Sequence, residues 1–177
     1  PIILDMFVSA FDTLVEDRNI TENKSLLSRY LFALDKQSGK RANLIFVDTN
    51  AQAEYYHNTF GISLDKMKRV FVGCDEVLFH PLPEKPESCV VLYYCSYLPL
   101  HGVDVVVEAA KLLQTESPIR FKIIGRGIEF GKIQRLVQER QVYNVELAAP
   151  VAVEQLPFEI QDSIICLGGH FGASSKA

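Results

Sequence analysis

The sequence has no apolar run that approaches the length of a membrane-spanning helix. The longest runs, such as residues 90–95, fall far short of the roughly 20 residues that a bilayer requires. No charged segment precedes an apolar one at the start, so no signal peptide is predicted, and we expect the natural start to lie before Pro1. The formal net charge is only −4. A broad basic footprint for nucleic acid is therefore absent from the composition, and no nucleic-acid partner is expected.

Cysteine is also sparse, and no C-x-x-C pair occurs. The four cysteines are Cys74, Cys89, Cys95 and Cys166, of which the last three lie in apolar, strand-like runs. This usage predicts free, buried thiols and a reducing, cytoplasmic setting. No two of the four histidines have metal-ligand spacing, and no D-x-D pair occurs. No metal site is predicted.

The second half of the sequence repeats one pattern, an apolar strand followed by a loop. The strands are VVLYYC, FKIIG, NVELA and SIICL, and amphipathic helices follow the first two. Strands that are apolar throughout are typical of parallel sheets covered by helices on both faces. The pattern predicts an α/β fold with a doubly wound parallel sheet and all four loops at one edge. Ligands bind at that edge in such sheets.

Prolines mark a boundary between two pieces of the chain, in the run FHPLPEKPES. Three prolines within six residues cannot continue a helix or a central strand. We predict a linker at 83–88 that separates an α/β domain at 1–82 from a second domain at 89–177. In the first domain the spacing predicts a helix over 24–37, with Leu27, Tyr30, Leu31 and Leu34 on its buried face.

Two further features are predicted for the first domain. A helix should begin behind a cap at Thr49 or Asn50 and end near Phe60, with Gly61 in the left-handed conformation. The run RVFVG, residues 69–73, predicts a closing strand.

The predicted ligand edge of the second domain consists of four loops: Ser96–Gly102, Gly125–Ile128, Ala149–Val153 and Gly168–Lys176. Its charged or titratable candidates are His101, Arg126, His170 and Lys176. Helix N-termini at such an edge present unpaired N–H groups that suit a phosphate or diphosphate. The glycines would let backbone approach a ligand closely, or would serve only tight turns.

The run GRGIEFG, from Gly125, is loosely similar to a dinucleotide fingerprint, with Glu146 at a suitable distance for a ribose contact. The fingerprint belongs on the first strand of a sheet, whereas a complete strand–helix unit precedes Gly125. An NAD-dependent oxidoreductase is therefore kept only as a less favoured alternative.

The order of these features resembles the middle of a retaining GT-B-type glycosyltransferase of family 4, also called group 1. Before the boundary, Gly73, Asp75, Phe79 and Pro81 match a Gly-x-Asp turn that runs to Phe-x-Pro. After it, the matching runs are LPLHGVDVVVEAAKLL, FKIIGRG and NVELAAPVAVEQLP. The resemblance covers most of the chain from about Ala42 onward.

The resemblance implies two Rossmann-like halves of a GT-B fold, both incomplete in this chain. It also implies retaining, metal-independent sugar transfer from a nucleotide-diphosphate-sugar donor to a glycan or lipid-linked acceptor, without a cofactor. The full-length enzyme would be cytoplasmic, at the inner face of a membrane with which it associates peripherally. The chain alone is expected to be inactive, and no residue of it is assigned a catalytic role.

The same resemblance implies positions for the donor. The loop of Ser96, His101 and Gly102 would face the diphosphate, Gly125 and Arg126 would flank the donor, and Ala149 to Val151 would border the base. Family members usually have Arg where Ser96 stands and Lys where His101 stands. Arg126 or Lys176 would then have to supply the missing charge. The loss also leaves open a non-catalytic relative that binds nucleotide sugars or acts as a scaffold.

Overall fold

A computed structural model of the chain describes residues 1–18, 20–81, 88–115 and 118–172. The chain divides into two compact units, Pro1–Cys74 and Asp75–Ala177. Each unit has its own parallel sheet and its own hydrophobic core. The predicted α/β class with parallel sheets is therefore confirmed. The predicted linker lies almost wholly outside the described residues, so the boundaries of the domains at 1–82 and 89–177 stay a prediction.

The first unit is a three-stranded parallel sheet in the order β1-β2-β3. Its strands are β1 (Ile3–Asp5), β2 (Leu44–Val47) and β3 (Met67–Arg69). Its helices are α1 (Leu26–Arg41) and α2 (Asn50–Phe60), with a π-helical turn at Asp12–Asp17 and a 3₁₀ turn at Leu64–Lys66. No helix in the described ranges combines the length and the apolar character needed to cross a membrane.

The ends of α2 are those that the sequence predicts. Thr49 is the N-cap, and its hydroxyl accepts a hydrogen bond from the Gln52 backbone N–H at 3.1 Å. Gly61 ends the helix in the left-handed region, at φ 65°. Both the cap at Thr49 and the glycine at Gly61 satisfy backbone groups that a helix leaves without partners at its ends. Because these signals are local in the sequence, they could be predicted from it.

The predicted buried face of α1 is wrong. Leu31 is buried, but Leu27, Tyr30 and Leu34 are 50%, 64% and 43% exposed. The face that packs inward carries Ser28, Leu31, Asp35 and Gly39.

Polar and small residues can occupy this face because Asp35 has hydrogen-bond partners and Gly39 lets a neighbouring side chain approach closely. The Asp35 carboxylate accepts hydrogen bonds from the Ser9 hydroxyl at 2.6 Å and the Phe11 backbone N–H at 2.8 Å. At Gly39 a Cβ would lie 2.2 Å from the Ile62 side chain. Neither partnership is visible in helical periodicity, which counts only apolar residues.

The predicted strand at RVFVG is wrong in position, since the observed strand begins two residues earlier and ends four residues earlier. β3 begins at Met67 and ends at Arg69, and its pairing with β2 runs from Met67 opposite Ile45 to Arg69 opposite Val47. Val70, Phe71 and Val72 follow it as exposed residues. Phe71 instead lies against the Arg69 guanidinium, 4.3 Å from the ring centroid.

The second unit is a four-stranded parallel sheet in the order β6-β5-β4-β7. Its strands are β4 (Val90–Cys95), β5 (Arg120–Gly125), β6 (Val145–Ala148) and β7 (Ile165–Leu167). Its helices are α3 (Val103–Leu113), α4 (Phe130–Glu139) and α5 (Leu156–Gln161), with a 3₁₀ turn at Pro99–His101. The chain reverses its direction of travel across the sheet at β4, whose neighbours are β5 and β7. A crevice at such a reversal is the usual ligand position.

The amphipathic helices of this unit are confirmed. Val103, Val106, Val107 and Ala110 of α3 are buried, and Leu113 packs against the same core. On α4, Ile133 is fully buried, with Leu136 and Val137 packed beside it.

The last strand is shorter than the predicted run SIICL, and it is largely exposed. β7 is only three residues long and pairs with β4 at the edge of the sheet. Ile165 and Cys166 are exposed there, as is Cys74 in the first unit. The expectation of buried thiols therefore fails, since Cys89 and Cys95 are also only half-buried. For Cys166 the reason is that apolar composition alone does not separate an edge strand from a central one.

Candidate functional site

A cavity of about 340 Å³ opens at the carboxyl ends of β4 and β5. It is lined by Tyr94, Cys95, Ser96, His101, Ile124, Gly125, Pro150, Val151 and Leu156. Four predicted site residues, Ser96, His101, Gly125 and Val151, therefore meet at one place. Ser96 and His101 lie in the loop after β4, Gly125 is the last residue of β5, and Val151 lies in the loop after β6.

His101 is held in a defined orientation within this site. Its Nδ1 accepts a hydrogen bond from the Ser96 backbone N–H at 3.2 Å, which assigns the ring hydrogen of a neutral imidazole to Nε2. The His101 ring stacks on His170, with centroids 5.4 Å apart and planes inclined by 23°. The sequence suggested both histidines as candidates for the same edge but did not indicate that they touch.

Tyr93 ties the loop after β4 to the loop after β7. Its hydroxyl lies 2.8 Å from the His101 carbonyl and 2.9 Å from the Gly169 carbonyl, placed to donate to either. Burial raises the pKa of Tyr93 to about 12, so the phenol keeps its proton at neutral pH. The Gly172 N–H adds a bond to the Leu100 carbonyl at 3.0 Å. The two loops thus form one supported surface.

Gly102 serves this contact between loops. It is buried with φ 58°, and a Cβ there would lie 2.3 Å from the Gly172 nitrogen. The predicted donor-binding role of Gly102 is untested. Its need for glycine is explained by the backbone that lies against it.

Gly125 and Gly127 have a similar explanation. A Cβ at Gly125 would lie 1.9 Å from the Cys95 carbonyl oxygen, and one at Gly127 would lie 1.7 Å from the Ser96 carbonyl oxygen. These glycines let the loop after β5 pack against the loop after β4. Glu129 then precedes α4, with its carboxylate 2.8 Å from Lys132. An acidic group at this helix N-terminus disfavours a pyrophosphate, which weakens the dinucleotide hypothesis.

Tyr97 follows the lining residue Ser96 and packs beneath the loop, a contribution that the sequence analysis missed. It has φ 45°, in the left-handed region that a side chain of this size rarely occupies. The side chain is fully buried, and its ring meets Phe130 edge-on at 5.2 Å. Its carbonyl accepts the Glu129 N–H at 3.1 Å. Backbone strain held by packing is common at functional sites; nothing in the run of tyrosines marks Tyr97 as the strained one.

The other predicted site residues differ in position. Arg126 is exposed directly after β5, and Ala149 is exposed beside the lining residue Pro150. Lys176 lies outside the described residues. Among the described residues, no group of three or more His, Cys, Asp or Glu side chains is arranged to hold a metal ion.

A larger cavity, of about 650 Å³, lies near the starts of β4, β5 and β6. Within it Lys122 and Glu159 form an ion pair at 2.5 Å, which joins α5 to β5. Parallel sheets of this type bind ligands at the opposite, carboxyl edge. We therefore take the smaller cavity as the candidate site.

Comparison with protein-family models gives no match, and neither does comparison with curated proteins. Solved structures do match. WaaG, a glycosyltransferase involved in lipopolysaccharide biosynthesis, aligns with a TM-score of 0.74 over 96% of this chain and 50% of its own, at 13% identity. The chain has part of a GT-B fold.

Two further GT-B matches were solved with nucleotides. Anabaena HepE in complex with UDP-glucose aligns with a TM-score of 0.70 over 94% of this chain and 46% of its own, at 11% identity. S. aureus TarM, as a mutant in complex with UDP and other ligands, aligns at 0.67 over 82% and 29%, with 17% identity. This chain thus spans half or less of each of these three structures. At such low identities the similarity concerns the fold.

Proposed function

We propose that the chain is part of a glycosyltransferase and that its second unit binds the nucleotide-diphosphate-sugar donor. Transfer would be metal-independent, with retention, to a glycan or lipid-linked acceptor. The full-length protein would act in the cytoplasm, at the inner face of a membrane. The observation that carries the proposal is the cavity at the carboxyl edge of β4 and β5, because it joins Ser96, His101, Gly125 and Val151 in a GT-B-like unit.

Each loop has a proposed part in donor binding. The loop from Ser96 to Gly102 and the N-terminus of α3 would face the diphosphate, since backbone N–H groups at a helix start favour anions. Gly125 and Arg126 would flank the donor, and Ala149 to Val151 would border the base. Arg126 and Lys176 would contribute positive charge. Charge of that sign stabilises a departing nucleoside diphosphate more than it stabilises the intact donor.

Arg126 offers the most direct test of donor binding. The exposed guanidinium of this residue has no structural task that the contacts of the described loop reveal, so Arg126→Gln should leave the melting temperature unchanged. It should weaken UDP-glucose binding about tenfold, as expected for the loss of a charge-assisted hydrogen bond of about 1.4 kcal/mol. Isothermal titration calorimetry measures binding to the unsubstituted chain and to the variant, with Arg140→Gln, at an exposed position directly after α4, as the matched control.

A panel of ligands separates the alternatives. At about 100 times its dissociation constant, a ligand should stabilise the chain by roughly 2.7 kcal/mol in thermal unfolding. UDP-glucose or UDP should do so. Stabilisation by NAD alone would contradict the proposal and revive the oxidoreductase alternative.

A non-catalytic donor-binding relative is the second candidate. The observation that favours it is the loop itself, in which Ser96 and His101 stand at the expected cation positions and His101 is already bonded to Ser96. Transfer and hydrolysis assays with UDP-glucose distinguish the two candidates. Binding with no turnover in the full-length protein would favour the second.

A further inference from the structure

Helix α1 exposes four large apolar side chains on one side. Leu26 is 84% exposed, and the other three are Leu27, Tyr30 and Leu34. Leu27, Tyr30 and Leu34 recur at i, i+3 and i+7, so they follow one line along the helix, with Leu26 beside them. We call these four residues the α1 stripe. Because α1 packs on its unit with a different face, the apolar periodicity of this helix belongs to a surface that the described core does not use.

Positive charge lies beside the α1 stripe. Arg29, Lys36 and Lys40 recur at i, i+7 and i+11, which places them in a row along the neighbouring side of the helix. No salt bridge joins any of them to another residue in the described ranges. The single carboxylate of α1, Asp35, is buried and hydrogen-bonded within the unit. The outward surface of α1 is therefore apolar and basic, without an acidic side chain.

Helix stability explains only part of this charge. Cations near a helix C-terminus are favourable because that end carries partial negative charge, which accounts for Lys40 and Arg41 in the last turn. Cations near the N-terminus are unfavourable for the same reason. Lys24 lies just before the N-cap of α1 and Arg29 lies one turn into the helix, and both are exposed. Their charge is thus available to an external partner.

This composition fits the interface of an anionic lipid bilayer. Interfacial helices place an apolar side among the acyl chains and Lys or Arg side chains at the headgroups. The cytoplasmic face of a membrane has a negative surface potential that attracts basic segments. The chain as a whole has a formal net charge of −4, so the basic row is a local property of α1. Two such rows would repel each other across an interface, which disfavours a second copy of the chain as the partner.

We propose that the α1 stripe and the basic row beside it bind the anionic surface of a membrane. The four apolar side chains would enter the lipid, and Arg29, Lys36 and Lys40 would contact the headgroups. This inference rests on one part of the proposed function, the position at the inner face of a membrane, and it supplies the binding surface. It does not depend on donor binding, because α1 and the donor cavity belong to different units.

Vesicle sedimentation tests the charge requirement. The chain should sediment with vesicles of phosphatidylcholine and phosphatidylglycerol, and much less with vesicles of phosphatidylcholine alone. Added salt should weaken the binding, because salt screens exposed charges. Arg29→Gln should weaken it about fivefold, the contribution of one basic residue near an anionic surface. Arg140→Gln, at an exposed position of the second unit, should bind as the unsubstituted chain does.

A matched pair of leucines tests the apolar requirement. Leu26→Ala should weaken binding to the anionic vesicles by about tenfold, because it removes apolar area that would enter the lipid. Leu112→Ala is the control, since Leu112 is 76% exposed on α3 of the second unit. Both leucines are exposed, so neither substitution should change the melting temperature.

A fluorescent probe reports whether the α1 stripe enters the lipid. The chain contains no tryptophan, so a single introduced indole reports only its own surroundings. In Tyr30→Trp, anionic vesicles should shift the emission to shorter wavelength, and brominated lipids should quench it. Tyr143→Trp is the control, because Tyr143 is exposed in the second unit, and it should show neither effect.

Several results would contradict the inference. They are the absence of binding to anionic vesicles, binding that Leu26→Ala and Arg29→Gln leave undiminished, and equal responses of Tyr30→Trp and Tyr143→Trp. A dimer in light scattering that Leu26→Ala dissociates, without vesicle binding, would make a second copy the partner instead.

Titration of the same samples with UDP-glucose keeps the two proposals apart. UDP-glucose binding without vesicle binding would overturn only the membrane surface on α1. Vesicle binding through the α1 stripe without UDP-glucose binding would contradict only the donor site.

Discussion

Asp35 shows how one buried carboxylate organises the first unit. It lies on α1, and it accepts hydrogen bonds from the Ser9 hydroxyl and the Phe11 N–H, both of which precede the π-helical turn. Ser9 in turn accepts the Asp12 N–H at 3.1 Å. Three consecutive contacts thus fix the segment after β1. A buried acceptor of this kind reduces the stability of the fold little as long as it is paired. Its removal reduces the stability strongly, because the donors are then buried without a partner.

Asp35→Ala should therefore destabilise the chain by about 2 to 3 kcal/mol, the cost of leaving two buried donors unsatisfied. Asp35→Asn should cost less, because its amide oxygen can replace Oδ2 as acceptor for both donors. Urea unfolding followed by circular dichroism measures the difference. Gln37→Ala, at an exposed position of the same helix, is the control. Equal losses for Asp35→Ala and Gln37→Ala would show that the Asp35 contacts do not stabilise the fold.

At the scale of elements, the loops after β4 and β7 behave as one piece whose geometry depends on Gly102. Gly102→Ala would combine a disfavoured φ of 58° with a contact of 2.3 Å to the backbone of residues 171 and 172. Neither the disfavoured φ nor the close contact can relax unless the loop moves. We expect a loss of at least about 2 kcal/mol in unfolding free energy, which combines left-handed strain with overpacking.

Gly131 is the matched control, because it lies in α4 and no atom lies within 4 Å of the position that an added Cβ would take. Gly131→Ala should stabilise the chain by up to about 1 kcal/mol through higher helix propensity. Thermal unfolding of the two variants should thus shift in opposite directions. Similar shifts of the same sign would contradict the contact between the two loops.

The elements also differ in how well the sequence predicts them. The cap at Thr49, the left-handed Gly61 and the inward face of α3 depend on local chemistry, and all three were predicted correctly. The inward face of α1 depends on Ser9 and Phe11, which lie 26 and 24 residues from Asp35. Periodicity cannot report a partner so distant in sequence.

The candidate site shows the same division. Parallel strand order places the loops that contain Ser96, His101, Gly125 and Val151 at one edge, so their proximity was predictable. The stack of His101 on His170 and the strain at Tyr97 arise from loop packing. They could be found only in the structure.

At the scale of the whole molecule, both units hold tyrosines in buried or half-buried positions, where the phenols keep their protons at neutral pH. Tyr55 and Tyr56 belong to the first unit, and Tyr93 and Tyr97 belong to the second. Burial is the largest cause that raises the pKa of each, and in the first unit the charge of Asp12 adds to it. The remaining three of the seven tyrosines, Tyr30, Tyr94 and Tyr143, are exposed.

This distribution predicts alkaline unfolding. A phenol with a raised pKa in the folded state favours folding fully below its ordinary value near 10, and this contribution is lost as the pH rises through the folded value, about 12 for Tyr93. The free energy of unfolding should therefore fall from about pH 10 upward. In an absorbance titration of tyrosinate, Tyr55, Tyr56, Tyr93 and Tyr97 should ionise only as the circular dichroism signal is lost.

Tyr93→Phe separates ionisation from packing, because it keeps the ring and removes the titrating hydroxyl. Below about pH 10 it should be less stable than the unsubstituted chain, since the His101 and Gly169 carbonyls lose a donor. Its stability should then decline less steeply with rising pH. Exposed Tyr143→Phe should leave the slope unchanged. If these four tyrosines of the unsubstituted chain ionised near pH 10 with its fold intact, the desolvation inferred for their positions would be wrong.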